Sequence, residues 1–252
     1  MNQATGELQV VGVPGLPEVT EGMRVGELIA ERADLGEGDV VVVSQKIVSK
    51  AEGRVRQLSS VVPGSEARRL AAELDKEPAL VELILAESRE VLRAERGVLI
   101  AETHHGFVCA NAGVDRSNLS EADTALLLPE DPDASARRIR DEIRAAADVS
   151  PAIIVSDSFS RSWRLGQVEV AIGCAGIAPL DDWRGRTDAA GRELEATLIA
   201  IADEAAAAAD LVRNKASRVP AAIVRGLDRY VTAEDGPGAA ALRRPPEEDL
   251  FR

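Results

Sequence analysis

The sequence predicts an α+β protein with mixed sheets and packed helices, and three observations support this. Runs rich in β-branched residues are interspersed with helical patterns along the chain. Several of these runs are apolar throughout, as expected for strands that are covered on both faces. Of the 252 residues 45% are hydrophobic but only six are aromatic, so the core must consist mainly of Val, Leu, Ile and Ala.

The two kinds of segment follow one another in a mixed order. Strands are expected in six runs, at 39–49, 97–103, 106–113, 151–158, 168–177 and 221–227. Helices are expected at 66–75, 79–93, 133–146 and 193–213. The third helix has a clear start, because Asp133 after Pro132 can cap it.

Composition excludes several classes of function. The chain carries 30 basic and 43 acidic residues, a formal net charge of −13, which repels nucleic acid and anionic membranes. No stretch is apolar enough to span a membrane and the amino terminus has no leader pattern, so we expect a cytoplasmic protein. Cys109 and Cys174 form no C-x-x-C pair, which argues against a zinc site or a disulfide framework, and burial is expected for both.

No internal repeat or low-complexity linker divides the chain. We therefore expect residues 1–252 to form a single domain. Two prolines and three acids at 128–133, "LPEDPD", mark the most plausible division into two subdomains.

Two lysines, Lys46 and Lys50, follow the apolar run "DVVVV". They are four residues apart and would share a face in either a strand or a helix. A phosphate chain bound at the end of the strand would relieve their repulsion, whereas a solvated surface pair would need no ligand. A Walker A loop is absent, so a nucleotide would be bound unconventionally. The Gly- and Pro-rich segment 12–22 could wrap a phosphate or be an ordinary loop.

Acidic residues follow two other apolar runs. Asp115 lies in "NAGVDRSN" and Asp157 in "IIVSDSFSRSWR", with Ser158 directly after it. Carboxylate and hydroxyl oxygens suit Mg²⁺ or Mn²⁺, and the two strand ends could meet at one metal ion. Both acids could instead cap backbone amides in turns. Arg161 and Arg164 add positive charge beside Asp157, as binding of phosphate or carboxylate groups would require.

Eight segments taken together, in this order and spacing, are typical of one family of enzymes. From about residue 8 to 250 the chain resembles the coenzyme F420-0:γ-glutamyl ligase family. The segments are "GVPGLPEV", "DVVVVSQKIVSKAEGR", "HHGFVCANAGVDRSN", "LLLPEDPDASARRIR", "SDSFSRSWRLGQVEVAIGCAGIAPL", "RGRTDAAGREL", "IADEAAAAADLV" and "VPAAIVRG".

The resemblance implies an F420-0:γ-glutamyl ligase-like fold and a GTP-dependent ligase. Such an enzyme adds L-glutamate to coenzyme F420-0, and then further γ-linked glutamates, through an acyl phosphate. It also implies two sites for Mg²⁺ or Mn²⁺ and a homodimer, and it is compatible with a bound K⁺. The chain would be a stand-alone ligase, or the ligase half of a longer enzyme, without a carboxyl-terminal flavin domain. There are two alternatives. The chain could be a GTP-dependent ligase that acts on another carboxylate acceptor, or a non-catalytic subunit that binds GTP or F420.

The same resemblance assigns roles to residues. Asp115 and Asp157 would hold the first metal and Ser158 the second, while Lys46 and Lys50 would complete the catalytic set. The residues implied in GTP binding are Leu16, Pro17, Glu18, Val19, Gln45, Lys46, Lys50, Asn118, Arg213, Asn214, Lys215, Ala216, Ser217, Arg218, Val219 and Pro220. Three residues depart from the family pattern, Ser160, Ser162 and Leu165, and the shape of the substrate could differ there.

Overall fold

The computed structural model describes residues 6–117, 123–213 and 217–249 and confirms the α+β fold. The strands are β1 (Gln9–Gly12), β2 (Val40–Ser44), β3 (Val55–Gln57), β4 (Ser88–Glu95), β5 (Val98–Thr103), β6 (Val108–Ala110), β7 (Thr124–Leu126), β8 (Ala152–Arg161), β9 (Arg164–Ala175), β10 (Asp181–Asp182), β11 (Leu198–Ile199) and β12 (Ala221–Arg225). The helices are α1 (Val25–Ala30), α2 (Gln45–Ala51), α3 (Ser65–Leu74), α4 (Pro78–Ala86), α5 (Pro132–Ala147) and α6 (Ile201–Asp210).

A five-stranded sheet in the order β1-β12-β2-β8-β9 forms the centre of the molecule. Only β2 and β8 are parallel; the other neighbours are antiparallel. Val41 and Val43 of β2 face the core formed with α1, α2 and α5, while Val40 and Val42 face the alanine-rich side of α6. Both faces of the sheet are therefore covered, which explains why its strands are apolar throughout.

A third hydrophobic core, besides those on the two faces of the central sheet, is formed by residues between 58 and 127. Leu70 of α3, Ile84 of α4 and Leu99 of β5 pack together in it. Its strands belong to a three-stranded sheet, β4-β5-β6, and to the antiparallel pair β3-β7. In the remaining pair, β10-β11, Ile199 of β11 packs against the hydrophobic cluster that includes α6.

Two predicted elements change type partway along their length. The strand expected at 39–49 ends at Ser44, whose side chain accepts a hydrogen bond from the Lys46 amide (3.4 Å) and caps α2. The helix expected at 79–93 ends at Ala86, and residues from Ser88 onward form β4 because they pair with β5. In both places tertiary pairing or capping overrides the local pattern.

Two helix starts also differ from expectation. The helix predicted at 193–213 begins only at Ile201, because Leu198–Ile199 pairs with Asp181–Asp182 instead. Asp131, not Asp133, caps α5 by accepting from the Ala134 amide (2.9 Å). The Asp133 carboxylate instead accepts from the amides of Cys174 and Ala239 (both 2.8 Å), so it fastens α5 to β9 and to the carboxyl-terminal segment.

Both cysteines are free and buried, as expected. Burial raises the pKa of each thiol to about 12. Within the described ranges, no helix has the length and apolar character needed to cross a membrane.

Candidate active site

The topology brings the predicted segments to one end of the central sheet. Because β2 and β8 are parallel, Ser44 and Ser156 lie side by side where β2 ends. β12 runs the other way and starts there, and the Ser44 amide donates to the Pro220 carbonyl (2.8 Å). β1 ends at the same edge, since Gly12 pairs with Ala222. Segments 16–19, 45–50 and 217–220 therefore adjoin strands that begin or end at this edge, the kind of edge where α/β proteins bind ligands.

A cleft of about 280 Å³ opens at this end of the sheet. Four of the predicted site residues border it, namely Lys46, Asp115, Asp157 and Ser158. The other lining residues are Cys109, Ala110, Asn111, Gly113, Val114, Ser117, Phe159, Ser160 and Gln167.

A sharp turn places Asp115 at the cleft. Asn111, Ala112 and Gly113 all have positive φ angles (54°, 50° and 74°), a conformation that non-glycine residues rarely adopt. A Cβ at Gly113 would lie 2.6 Å from side-chain atoms of Leu128, so only glycine fits there. Beyond the turn, Asp115 exchanges two backbone hydrogen bonds with Leu126 (2.8 and 3.0 Å), which holds its main chain against β7.

The Asp115 carboxylate already has positive and neutral donors around it. Lys46 Nζ lies 2.6 Å from Oδ2, and Ser117 donates from its amide (2.7 Å) and from its hydroxyl (2.9 Å). Burial alone would raise the pKa of Asp115, but Lys46 and Ser117 together hold it below its usual value. Asp115 is therefore ionised at neutral pH and bound to Lys46.

Asp157 does not lie at a strand end, and the prediction that placed it there was wrong. β8 continues to Arg161, and Asp157 pairs with Val170 of β9 in the antiparallel ladder. Burial raises the pKa of Asp157 to about 7, and the carboxylates of Glu169 and Asp115 add to the shift. The side chain is crowded by like charges in the wall of the cleft.

Sequence reasoning missed Glu169, which is only 8% exposed. Its Oε1 accepts a hydrogen bond from the Ser158 hydroxyl and its Oε2 one from the Ser156 hydroxyl, both 2.6 Å. Arg213 Nη2 donates to the same Oε2 and to Ser156 Oγ, both at 3.0 Å. The available signal was an acid inside the apolar strand "VEVAIG", where a charge needs a partner.

Lys46 and Lys50 both lie on α2 but contact different acids. Lys50 Nζ is 2.5 Å from Oε1 of Glu18, in the segment 16–19, whereas Lys46 contacts Asp115. Gln45, at the start of α2, is 1% exposed; its Oε1 accepts from the Ser49 hydroxyl (2.8 Å), and its Nε2 has no hydrogen-bond partner. Helix α2 thus links the cleft to the segment 16–19.

The remaining predicted nucleotide contacts are only partly visible. Val19 is buried and Leu16 packs against the core beneath α2, so both position the backbone of their loop. Ser217, Arg218, Val219 and Pro220 form the approach to β12. Asn118, Asn214, Lys215 and Ala216 lie outside the described residues.

The oxygen donors of the cleft fit Mg²⁺ or Mn²⁺ better than a soft metal. Asp115, Asp157 and Ser158 offer two carboxylates and a hydroxyl, the ligand types that these ions prefer. A divalent cation would also relieve the crowding of negative charge around Asp157. Within the described part of the chain, no group of three or more His, Cys, Asp or Glu side chains is arranged to hold a metal ion, so phosphate oxygens or water would have to complete the coordination.

Comparison with known proteins tests the resemblance. The F420-0:Gamma-glutamyl ligase family matches residues 15–226. Proteins named coenzyme F420:L-glutamate ligase are similar over almost their whole length. The one from Haloarcula marismortui is 47% identical over 97% of this chain and 96% of its own. Those from Methanothermobacter thermautotrophicus and Methanopyrus kandleri are 43% and 42% identical over 97% of this chain and 99% and 98% of their own. The resemblance is thereby confirmed: the chain belongs to the F420-0:γ-glutamyl ligase family.

Proposed function

We propose that the protein joins L-glutamate to coenzyme F420-0, and then adds further γ-linked glutamates, with GTP as the energy source. The observation that carries the proposal is the near full-length similarity to proteins named coenzyme F420:L-glutamate ligase. The cleft supports it with two acids, a hydroxyl and a lysine at the edge of the sheet where the predicted nucleotide segments converge.

The chemistry follows from what amide formation requires. A carboxylate is a poor electrophile, so the γ-phosphoryl group of GTP is transferred to an oxygen of the acceptor carboxylate and GDP leaves. The amine of glutamate then attacks the acyl carbon, an amide bond forms, and phosphate leaves with the oxygen it received. No covalent bond to the protein is needed, so the task of the protein is positioning and charge neutralisation.

Lys46 is best placed among the described residues to neutralise phosphate charge. Its ammonium borders the cleft and contacts Asp115 at 2.6 Å. Asp115 and Asp157 would hold one divalent cation and Ser158 a second. When bound, these ions would neutralise charge on the phosphate oxygens. Lys50 would support the nucleotide from the side of Glu18, at the other end of the same helix.

A direct assay tests the proposal. The protein is incubated with F420-0, GTP, Mn²⁺ and L-glutamate, and the deazaflavin is analysed by mass spectrometry, with each component omitted in turn. We expect a product heavier by one or more glutamyl residues, with one GDP and one phosphate released for each residue added. A product that forms equally well without GTP would contradict GTP dependence, and an unchanged deazaflavin would contradict the activity.

A second candidate is a ligase of the same type that acts on another carboxylate acceptor. Ser160, which departs from the family pattern, lines the cleft, so the difference lies where an acceptor could contact it. Leu165, another departure, is 98% exposed in the β8–β9 hairpin. Turnover of a different carboxylate in the same assay, with no product from F420-0, would favour this alternative.

We also propose that the chain forms a homodimer, as the resemblance implies. Trp163 and Leu165 in the β8–β9 hairpin are 82% and 98% exposed, and such large apolar side chains are a candidate contact surface. Light scattering of the purified protein measures its mass directly, and a monomer at all concentrations would contradict the proposal.

A further inference from the structure

A buried charge network lies directly behind the wall of the cleft. Glu169 is its centre: its two oxygens accept from the hydroxyls of Ser158 and Ser156 and from Arg213. Ser158 borders the cleft, whereas Glu169 and Arg213 are not among its lining residues. Ser158 is therefore the member of the network that connects it to the cleft.

The direction of each hydrogen bond is fixed by chemistry. A carboxylate can only accept, so the Ser158 hydroxyl must donate its proton to Glu169 across the 2.6 Å contact. Its oxygen lone pairs then remain available to a ligand. A hydroxyl whose proton is held elsewhere can serve as a ligand to a cation, while one whose proton points at the cation cannot.

Arg213 lies next to the carboxylate and offers it an opposite charge. The side chains of Glu169 and Arg213 are 10% and 5% exposed, and their contact is 3.0 Å. Without Arg213, Glu169 would be a buried charge without compensation. Arg213 also begins the segment 213–220, which is implied in nucleotide binding, and its Nη1 is buried without a hydrogen-bond partner. The network thus joins Ser158 to the start of that segment.

We propose that Glu169 is a positioning residue that orients the Ser158 hydroxyl toward a divalent cation and couples it to Arg213. This inference rests on the function proposed above, in which Ser158 contributes to the second metal site. Glu169 would raise the affinity for the metal ion by orienting Ser158, without contacting the ion itself.

Replacing Glu169 by Gln would reverse the polarity of this arrangement at nearly constant shape. The amide has one oxygen and one NH₂ group, and Arg213 can only donate, so the oxygen must face Arg213. The NH₂ group then faces Ser158 and donates to its oxygen, and the Ser158 proton turns toward the cleft. Glu169→Gln should therefore weaken Mn²⁺ binding about tenfold, within the range typical of residues that orient metal ligands.

The experiment measures Mn²⁺ binding by electron paramagnetic resonance in the presence of GTP and without acceptor. It compares the parent protein, Glu169→Gln, Ser158→Ala and the double variant. If Glu169 acts through Ser158, the double variant should bind Mn²⁺ no more weakly than Ser158→Ala alone. Glu142→Gln is the matched control, because Glu142 is also buried, at 6% exposed, but accepts from the Gly26 amide (2.8 Å) away from the cleft. It should leave Mn²⁺ affinity unchanged.

Several outcomes would overturn the inference. If Glu169→Gln binds Mn²⁺ as the parent does and only its melting temperature is lower, the network is a structural ion pair without an effect on the metal. Fully additive losses would show that Glu169 and Ser158 act independently. If Glu169→Gln does not fold, Glu169→Asp replaces it, since it keeps the charge opposite Arg213 but falls one methylene short of Ser158. Failure of the parent protein to ligate F420-0 would contradict the proposed function, while the Mn²⁺ comparison would still test the coupling.

Discussion

The two ends of the central sheet differ in how completely their charged and polar groups are paired. At the end where β12 finishes and β2 begins, Asp39 is 6% exposed and fully engaged. Its carboxylate accepts from Arg225 Nε (3.1 Å) and from the Gly36 amide (2.9 Å), while Arg225 also donates to the Asp34 carbonyl (2.8 Å). Opposite charges are paired there and the backbone completes the pairing, as expected where stability alone matters.

At the end that carries the cleft, like charges are close together and polar atoms remain unpaired. Asp157 is crowded by the carboxylates of Glu169 and Asp115. Gln45 Nε2 and Arg213 Nη1 are buried there without hydrogen-bond partners. Such arrangements cost stability and persist at sites where a ligand completes them. The difference predicts that substitutions at the cleft end change binding and catalysis, whereas those at the opposite end change stability.

The largest effect is expected from removing the charge of Asp115 or Asp157. Asp115→Asn and Asp157→Asn should each lower ligation about 100-fold or more, because an amide binds a divalent cation far more weakly than a carboxylate. Burial and like charges disfavour the ionised form of Asp157 in the free protein, so Asp157→Asn should not lower the melting temperature. Steady-state assays and calorimetric melting of the same preparations measure both quantities. Near-normal turnover of either variant at saturating Mn²⁺ would contradict the metal assignment.

The opposite end should show the reverse pattern. Asp39→Asn places an NH₂ group against Arg225 or against the Gly36 amide, so one buried hydrogen bond is lost whichever way the amide is turned. We expect the free energy of unfolding to fall by about 1–3 kcal/mol, with ligation per folded molecule unchanged. Urea titration gives the first quantity, and activity normalised to the folded fraction gives the second. A specific loss of activity in Asp39→Asn would remove the distinction between the two ends.

The two lysines of α2 allow a finer comparison within the cleft end. Lys46 borders the cleft, while Lys50 is paired with Glu18 in the neighbouring loop. Lys46→Ala should weaken GTP binding about tenfold and Lys50→Ala by less, and both losses should shrink as salt is added. Calorimetric titration at low and moderate salt tests this. Unchanged GTP affinity in both variants would mean that the lysines form only structural ion pairs.

The central sheet could be predicted because its strands are buried on both faces and so read as uninterrupted apolar runs. Asp115, Asp157 and Lys46 could be proposed because they follow such runs, and the parallel pairing of β2 with β8 brings two of the three segments together. The change from strand to helix after Ser44 could not be predicted, because it depends on the Ser44 side chain, which caps α2. Local sequence carries the apolar pattern but not the capping and pairing that end each element.

Glu169 shows why the polar side of the site was harder to predict. Its role depends on antiparallel register, which sets Glu169 opposite Ser158, and on Arg213, which lies 44 residues further along the chain. An isolated acid in an apolar strand signals a partner but does not identify it. The wrong placement of Asp157 has the same origin, because the continuation of β8 to Arg161 is fixed by pairing with β9.

The smallest effect is expected at Asp203 of α6, which within the described part of the chain is neither ion-paired like Asp39 nor crowded by like charges like Asp157. It is half-buried and accepts one hydrogen bond, from the Ala171 amide of β9 (2.9 Å). Burial raises the pKa of Asp203 above its usual value, and the Ala171 amide only partly opposes this shift. The charge therefore disfavours the folded state once pH exceeds the pKa of the unfolded chain, and it has no effect when both states are protonated.

Asp203→Asn keeps an oxygen for the Ala171 amide and removes the charge. It should raise the melting temperature slightly at pH 7, and the gain should fade as pH falls toward 3, where the parent carboxylate is protonated in both states. Ligation should be unchanged, because Asp203 does not line the cleft. Melting curves of the parent and the variant across this pH range measure the difference. A variant less stable than the parent at pH 7 would show that the Asp203 charge stabilises the start of α6. Asp203 would then contribute to stability as Asp39 does.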